Sequence, residues 1–298
     1  MQVQITGSVC ALITPFTELE QLDFAALEGL VEAQIRGGTH ALVIGGSTGE
    51  SVALEETELA ELLRAAVRFA GGRIQIVAGT GAASTEKSLR LTRLARDCGA
   101  NAALVVTPAY VRPSQEGLSQ HFSRIAERGG LPIVLYNVPA RTACDLLPAT
   151  VARLAKLPQV IGIKEAVPER ARMLDLLALQ DADFSVLSGD DPTALDAFKM
   201  GARGLVSVAA NPLPAAMREL WNLSQSGNWQ HAEQLNERLA PVFAALALES
   251  NPIPVKWAMH GLAYCGPAIR SPLCTLGVAH QHAVMGALAA FNARRLAA

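Results

Sequence analysis

The chain lacks several features that would place it in a special class of protein. Its five cysteines are odd in number, widely spaced and never in a C-x-x-C pair, which argues against a disulfide framework or a structural zinc site and predicts a reducing, cytoplasmic location. The formal net charge of −2, without basic blocks, gives no basis for nucleic-acid binding. No apolar run approaches the roughly 20 residues that span a bilayer, and residues 1–6 lack the layout of a signal peptide. We therefore expect neither a nucleic-acid nor a membrane partner.

Hydrophobic residues make up 50% of the 298 positions and charged residues only 17%, so the chain can bury a large core. Short apolar runs alternate with longer amphipathic segments. The predicted strands cover residues 9–14, 41–44, 74–78, 102–106, 133–136, 160–164, 184–187 and 204–208. The predicted helices between them cover residues 23–36, 56–69, 84–98, 114–127, 148–156, 169–179 and 192–200, and further helices follow at 214–224, 229–248, 254–263 and 280–296.

The apolar runs are continuous rather than alternating, which is typical of a parallel sheet covered by helices on both faces. Eight strand–helix units predict an α/β fold, a (β/α)8 TIM barrel over residues 1–210, with a C-terminal helical extension over residues 211–298 packed on it. An open, doubly wound sheet is the alternative. It is disfavoured because no glycine-rich dinucleotide-binding motif follows the first predicted strand.

Lys164 ends the apolar strand of residues 160–164 with a positive charge. Lysine is scarce, with five among the 25 basic residues, so arginine would be expected where a cation serves only the surface. An amine at the end of a buried strand is unfavourable unless that end opens onto a site. Burial lowers the pKa of an amine, and the neutral form can attack a carbonyl to make a Schiff base. The alternative is a lysine that reaches solvent or pairs with Glu165.

Other polar side chains also follow the predicted strands, at the end where TIM barrels carry their sites. Ser47 and Thr48 stand between glycines and can hold a small carboxylate, although a plain strand-to-helix turn is the alternative. Tyr136 can shuttle protons or be an ordinary core aromatic. Arg141 can grip a carboxylate in two places or be a solvated loop cation. The six histidines show no ligand spacing, so we expect no metal site.

A set of motifs connects the whole chain with one known family. They are GSTGES (46–51), AGTGA (78–82), VTP (106–108), RPSQEG (112–117), LYNVP (135–139), IGIKEA (161–166), LSGDD (187–191) and NPIPVK (251–256). With these motifs in this order and spacing, the chain resembles the 4-hydroxy-tetrahydrodipicolinate synthase (dihydrodipicolinate synthase) family, within the N-acetylneuraminate lyase superfamily of class I aldolases. The resemblance runs from the first predicted strand into the helical extension.

The resemblance implies a lyase in which Lys164 forms a Schiff base with pyruvate and Tyr136 donates and accepts protons. Ser47 and Tyr110 would complete the proton relay. In the family this second tyrosine reaches in from a neighbouring subunit, which implies a homo-oligomer: a tight dimer, usually paired into a homotetramer.

The resemblance also implies where the substrates bind. Thr48 and the backbone at Val206 would hold pyruvate, and Arg141 would bind the carboxylate of aspartate 4-semialdehyde. Gly189 would also be a substrate-binding residue. The enamine of pyruvate would attack that aldehyde, and cyclisation would then expel the enzyme amine. No cofactor is implied beyond the covalent bond to Lys164.

The sequence departs from the family pattern at several positions. Ser47 stands where the synthases usually have threonine, and a serine at this position also occurs in sialic acid lyases. Ala109 replaces the tyrosine that normally precedes Tyr110. The positions that correspond to the lysine feedback site of regulated bacterial enzymes are Glu56, Leu59, Ala83, Lys87 and Ala109. Lys87 in place of a carboxylate would repel the ammonium group of lysine by about 1–4 kcal/mol. We therefore predict an enzyme that is insensitive to lysine.

Two alternatives to the synthase stay open on the sequence. The first is a related aldolase that cleaves sialic acid or a 2-keto-3-deoxy sugar acid through the same Schiff base, which Ser47 and Ala109 allow. The second is a non-catalytic relative that binds a keto acid. It is disfavoured because a pure binder would not need Lys164, Tyr136 and Tyr110 together.

Overall fold

The computed structural model describes residues 3–296 of the chain. Residues 1, 2, 297 and 298, which the predicted domain ranges include, lie outside the described residues. The strands are β1 (Gly7–Ala11), β2 (Ala41–Ile44), β3 (Gln75–Gly79), β4 (Ala102–Val106), β5 (Ile133–Asn137), β6 (Val160–Glu165), β7 (Ser185–Ser188) and β8 (Gly204–Ser207). Each strand pairs in parallel with the next, and β8 pairs with β1, so the sheet closes into a barrel. The predicted TIM barrel is confirmed.

Helices follow the strands in the alternating order that the sequence predicts. They are α1 (Phe24–Arg36), α2 (Glu56–Ala70), α3 (Thr85–Asp97), α4 (Gln115–Gly129), α5 (Pro139–Thr142), α6 (Pro148–Leu154), α7 (Arg170–Leu177), α8 (Ala194–Met200), α9 (Pro214–Gln225), α10 (Trp229–Leu246), α11 (Ile253–Gly261) and α12 (Val278–Leu296). A short 3₁₀ turn at Ser51–Ala53 precedes α2. The helix α5 was not predicted, because four residues are too few to show a helical period.

Local sequence explains where several of these elements begin and end. Asp23, Ser84 and Ser114 each accept a hydrogen bond from a backbone N–H in the first turn of α1, α3 and α4, as expected of N-cap residues. The first strand ends at Ala11, three residues before its predicted end. It ends there because the N–H of Ile13 donates to the Asn211 side chain instead of to a neighbouring strand.

The barrel has two apolar layers, because successive residues of a strand face opposite sides of the sheet. The cluster that fills the barrel interior includes Val9, Val43, Leu104, Tyr136 and Val206. The larger cluster between the sheet and the helices includes Leu42, Ile76, Val105, Leu135 and Val186. The side chains of Tyr136 and Val206 therefore lie inside the barrel.

The pairing of β5 with β6 contains a one-residue irregularity. Ile133 pairs with Val160, but Val134 pairs with Gly162, so β6 carries one extra residue between these positions. Such a β-bulge changes which side chain faces a given neighbour, and bulges are common next to active sites. Beyond it, Tyr136 is paired with Lys164.

The helix α9 packs between α1 and α8 and so completes the outer ring. The ring of Trp221 lies 5.1 Å from that of Phe198, edge to face. The helices α10, α11 and α12 pack on one another and on this side of the barrel. Among the described helices, none combines the length and apolar character that a bilayer crossing requires.

Candidate active site

Lys164 lies next to the end of β6 with its side chain only 6% exposed. Its Nζ lies 4.1 Å from the centroid of the Tyr136 ring, a cation–π distance. Glu165 does not pair with it, because that side chain lies on the opposite face of the strand and contacts Asn137 and Arg172. The two simpler interpretations of Lys164, exposure to solvent and pairing with Glu165, are wrong.

The loop after β2 carries Ser47 and Thr48 to the same end of the barrel. Ser47 borders a small cavity of about 20 Å³ with Tyr136, enough for one water-sized group. The Thr48 hydroxyl is buried and accepts a hydrogen bond of 2.9 Å from the Asn251 side-chain amide. Thr14 holds the loop from the other side by donating to the carbonyl of Gly49 at 2.7 Å.

Two larger cavities open at this end, and Arg141 lines both. The first, of about 450 Å³, is also lined by Ser47 and Tyr110, and most of its lining is apolar. The second, of about 320 Å³, is also lined by Gly189. Asn251 borders both cavities, so a substrate carboxylate bound by Arg141 would lie where they meet.

The remaining predicted site residues differ in how close they lie to Lys164. A Cβ atom at Gly189 would lie 3.0 Å from Cε of Lys164, so a larger residue there would displace the lysine. Val206 is buried on β8 and belongs to the interior cluster that contains Tyr136. Tyr110 lies at the rim, with 93% of its surface exposed.

Comparison with known proteins identifies the family of this fold and site. The sequence model described as the dihydrodipicolinate synthetase family matches residues 4–291. The chain belongs to this family. The predicted family and the predicted enzyme class, a lyase, are thereby confirmed.

Individual members of the dihydrodipicolinate synthetase family resemble the chain over nearly its whole length. The 4-hydroxy-tetrahydrodipicolinate synthase of Stutzerimonas stutzeri is 47% identical, and the match covers 95% of this chain and 97% of that protein. The chloride-inhibited dihydrodipicolinate synthase of Acinetobacter baumannii, solved with pyruvate, has a TM-score of 0.95 at 42% identity and covers 97% of this chain and 99% of its own. The enzyme of Cyanidioschyzon merolae, solved with lysine bound, has a TM-score of 0.94 at 30% identity, with 97% and 99% covered.

In this member of the family, residues of the C-terminal helices reach the site, which sequence reasoning did not anticipate. Lys256 Nζ lies 2.6 Å from Oε1 of Glu50, and both side chains are almost completely buried. Burial lowers the pKa of the Lys256 amine, and the Glu50 carboxylate opposes that change. The backbone N–H of Arg270 donates to the second Glu50 oxygen at 3.0 Å. The loop that carries Ser47 and Thr48 is thus bound at its far end by α11 and by the segment after it.

A sequence signal for the Lys256 contact did exist. Lys256 is one of only five lysines and interrupts an apolar helix, which is unfavourable unless a buried partner is present. No local pattern indicates which acid it pairs with, because Glu50 is about two hundred residues away along the chain. Within residues 3–296, no group of three or more His, Cys, Asp or Glu side chains is placed to hold a metal ion.

Proposed function

We propose that the chain condenses pyruvate with L-aspartate 4-semialdehyde to give 4-hydroxy-tetrahydrodipicolinate, in lysine and diaminopimelate biosynthesis. The observation that carries this proposal is the buried amine of Lys164, 4.1 Å from the centroid of the Tyr136 ring. The amine lies at the end of the barrel where Ser47 and Arg141 line a common cavity. The names of the related proteins support the choice of substrates.

The proposed reaction begins with attack of the neutral Lys164 amine on the carbonyl carbon of pyruvate. Tyr136 protonates the departing oxygen, which leaves as water, and the resulting imine loses a methyl proton to become an enamine. Ser47 and Tyr110 relay these protons. The enamine carbon attacks the aldehyde of the second substrate, and the amine of that substrate then displaces Lys164 to close the ring. The lysine nitrogen acts as the electron sink, so the chemistry requires no cofactor.

Two groups hold the carboxylates of the substrates in this proposal. The Thr48 hydroxyl accepts from Asn251, so its own hydrogen is free to donate to the pyruvate carboxylate. The backbone at Gly189 and at Val206 encloses pyruvate beside Lys164. Arg141, where the two cavities meet, binds the carboxylate of aspartate 4-semialdehyde through its planar fork.

Reduction with borohydride in the presence of pyruvate tests the Schiff base. We expect mass spectrometry to find a pyruvyl adduct on Lys164 and none in the Lys164→Ala variant, with Lys199→Ala as the matched control. A panel of substrates then separates the synthase from related aldolases: condensation with aspartate semialdehyde against cleavage of sialic acid and of 2-keto-3-deoxy sugar acids. The absence of an adduct would contradict every Schiff-base function, whereas cleavage without condensation would contradict only the synthase.

We also propose that the chain works as a homodimer, paired into a tetramer, with Tyr110 crossing into the partner's site. Tyr110 and Val52 are each 93% exposed and line the same cavity, which leaves an apolar patch at its rim. Tyr110 and Arg112 have positive φ angles of 74° and 45°, a strained conformation that persists when surrounding contacts hold it. Analytical ultracentrifugation checks this proposal, and a monomer at micromolar concentration would contradict it.

Insensitivity to lysine is a further part of the proposed function. Glu56, Leu59, Ala83 and Lys87 line one cavity of about 310 Å³, and Ala109 lines the neighbouring larger cavity. The Lys87 ammonium in this small space disfavours a second ammonium group. This lining differs from the feedback site of the regulated enzymes that the sequence resembles.

A steady-state assay with added lysine tests this insensitivity. We expect submillimolar lysine to leave the rate of the unmodified enzyme unchanged. Inhibition of the unmodified enzyme at that concentration would contradict the proposal.

Two broader predictions complete the proposed function. We propose a cytoplasmic location, supported by five free cysteines with no disulfide among them in the described residues. We also propose that residues 1–210 form the barrel and residues 211–298 the extension, whose first helix, α9, closes the ring of helices around the barrel. Fluorescence tagging in the source cell would test the location, and limited proteolysis near residue 210 would test the boundary.

A further inference from the structure

On the outer face of the sheet, β5 and β6 end in a pair of buried polar residues. Asn137 follows Tyr136, Glu165 follows Lys164, and the two are paired in register. Their exposed fractions are 0% and 1%. Because side chains alternate along a strand, each of them lies on the opposite face from the neighbouring site residue. Any movement of these strand ends would therefore also move Tyr136 or Lys164.

The Glu165 carboxylate is surrounded by hydrogen-bond donors. The Asn137 amide donates to its two oxygens at 3.0 and 3.1 Å. The N–H of Val167 donates to Oε1 at 2.8 Å, and the Arg172 guanidinium approaches Oε2 at 3.4 Å. An ionised carboxylate, which only accepts hydrogen bonds, matches this arrangement.

A second carboxylate completes the network and keeps its donors in place. Asp145 accepts the Arg172 fork at 2.7 and 2.9 Å and the Asn137 amide at 2.8 Å. The hydrogen bond from Arg172 holds the pKa of the Asp145 carboxyl below its usual value. The backbone of Glu165 also takes part, since its carbonyl accepts the N–H of Gly189 at 2.7 Å. The network thus joins the ends of β5, β6 and β7 behind Lys164.

We propose that Glu165, in its ionised form, is a positioning residue that holds Lys164 against Tyr136. This inference rests on the proposed function, because it assigns Glu165 to the Schiff-base step. A protonated Glu165 would need an acceptor for its hydrogen. The amide oxygen of Asn137 already accepts the N–H of Leu146 at 2.9 Å, and the protonated Glu165 oxygen would turn from acceptor to donor, so protonation weakens the link between the two strands.

Burial of Glu165, together with the groups around it, places this change near neutral pH. Burial raises the pKa of the Glu165 carboxyl to about 7, although Asn137, the Val167 N–H and Arg172 lower it. Asp145 raises it further. From the other neighbouring helix, Asp196 lines the small cavity beside Glu165, as does Arg170 from α7. The positioning contact is therefore complete above this pH and weaker below it.

The proposal is tested at the Schiff-base step by supplying pyruvate alone and trapping the adduct with borohydride. The rate of adduct formation is measured from about pH 6 to pH 9. In the unmodified enzyme we expect the rate to fall at the acid end. In Glu165→Gln we expect a rate lower on the order of tenfold to a hundredfold at high pH, because the reacting groups are misplaced. We also expect a shallower acid fall, because only the protonation of Lys164, and no longer that of residue 165, slows the reaction. Glu165→Asp should restore part of the rate and the acid fall.

A control and a second variant keep the outcome decisive. Glu32 pairs with Arg73, which shortly precedes β3 and therefore lies at the opposite end of the barrel from the site. The control variant Glu32→Gln should behave as the unmodified enzyme. If Glu165→Gln does not fold, Asn137→Ala removes the link to β5 and should also lower the rate while keeping the acid fall. An unmodified rate and pH profile in either variant would overturn the inference. No adduct in the unmodified enzyme would overturn the proposed function instead.

Discussion

Lys164 is paired with Tyr136 because β6 has one extra residue beyond Val160. Continuing the pairing of Ile133 with Val160 without this residue would place Ile163 beside Tyr136. The bulge thus puts an amine rather than an apolar side chain next to the phenol, inside the barrel. The proposed chemistry depends on this register.

Replacing Tyr136 by phenylalanine should separate the packing of its ring against Lys164 from the proton transfer by its hydroxyl. The ring stays beside the Lys164 amine, so the lysine keeps its place, but the hydroxyl that moves protons is lost. We expect kcat to fall on the order of a hundredfold or more, with a small change in the KM for pyruvate. Tyr264→Phe, outside the site, is the matched control. A kcat within about twofold of the unmodified enzyme would remove Tyr136 from the proton transfer.

Asn251→Asp should weaken the binding of pyruvate. In the unmodified enzyme the Asn251 amide donates to the Thr48 hydroxyl, which leaves the hydrogen of that hydroxyl free for the substrate. The Asn251 side-chain oxygen has no hydrogen-bond partner among residues 3–296. A carboxylate at this position would take the Thr48 hydrogen and repel the pyruvate carboxylate. We expect the KM for pyruvate to rise about tenfold or more, with less effect on kcat. Asn222→Asp, on the exposed side of α9, should leave both constants unchanged, and an unchanged KM in Asn251→Asp would contradict the role of Thr48.

The buried pair of Glu50 and Lys256 should be important for stability only as a pair. Removing one partner leaves an uncompensated charge in the core, so Glu50→Gln and Lys256→Met should each lower the free energy of unfolding by about 3–5 kcal/mol. The double variant should lose less than the sum of the two, as urea denaturation would measure. Additive losses would show that the two charges do not interact.

His121 should make stability depend on pH. It is buried between α3 and α4, with Nδ1 2.9 Å from the Thr85 hydroxyl, and burial lowers its pKa from 6.5 to about 4. Between these values the unfolded chain binds a proton that the folded chain does not, so stability is greatest above pH 6.5 and falls as the pH decreases toward 4. The loss from this group is about 3 kcal/mol.

Comparing the unmodified enzyme with His121→Gln isolates this contribution. Urea denaturation at several pH values should give a difference in unfolding free energy that shrinks as the pH falls. His231→Gln, on an exposed helix face, should show a constant difference. If the difference for His121→Gln also stays constant, folding does not lower the pKa of His121.

The barrel and much of its site were predictable because both depend on local sequence. Continuous apolar runs identified all eight strands, and the predicted helices at 23–36, 84–98 and 114–127 begin at the residues that cap α1, α3 and α4 in the structure. Polar residues that follow parallel strands must gather at one end of a barrel. Lys164 and Tyr136 could therefore be placed at the same end of the barrel from their positions alone.

Contacts between distant parts of the chain were not predictable in this way. The hydrogen bond from Asn251 to Thr48 and the ion pair of Lys256 with Glu50 join residues more than two hundred positions apart. No periodicity in the sequence encodes such a distance. The signal that existed, a lysine inside an apolar helix, showed that a partner was needed but not which one.

The sequence by itself determined which residues are candidates for the chemistry and which end of the barrel they reach, because strand direction and side-chain alternation follow from local pattern. Only the tertiary structure decided that Lys164 rather than Ile163 meets Tyr136, since a bulge depends on how two strands pair. The tertiary structure alone also decided the pKa of Glu165, because the pKa of a carboxyl is set by burial and by the donors and charges that folding brings around it.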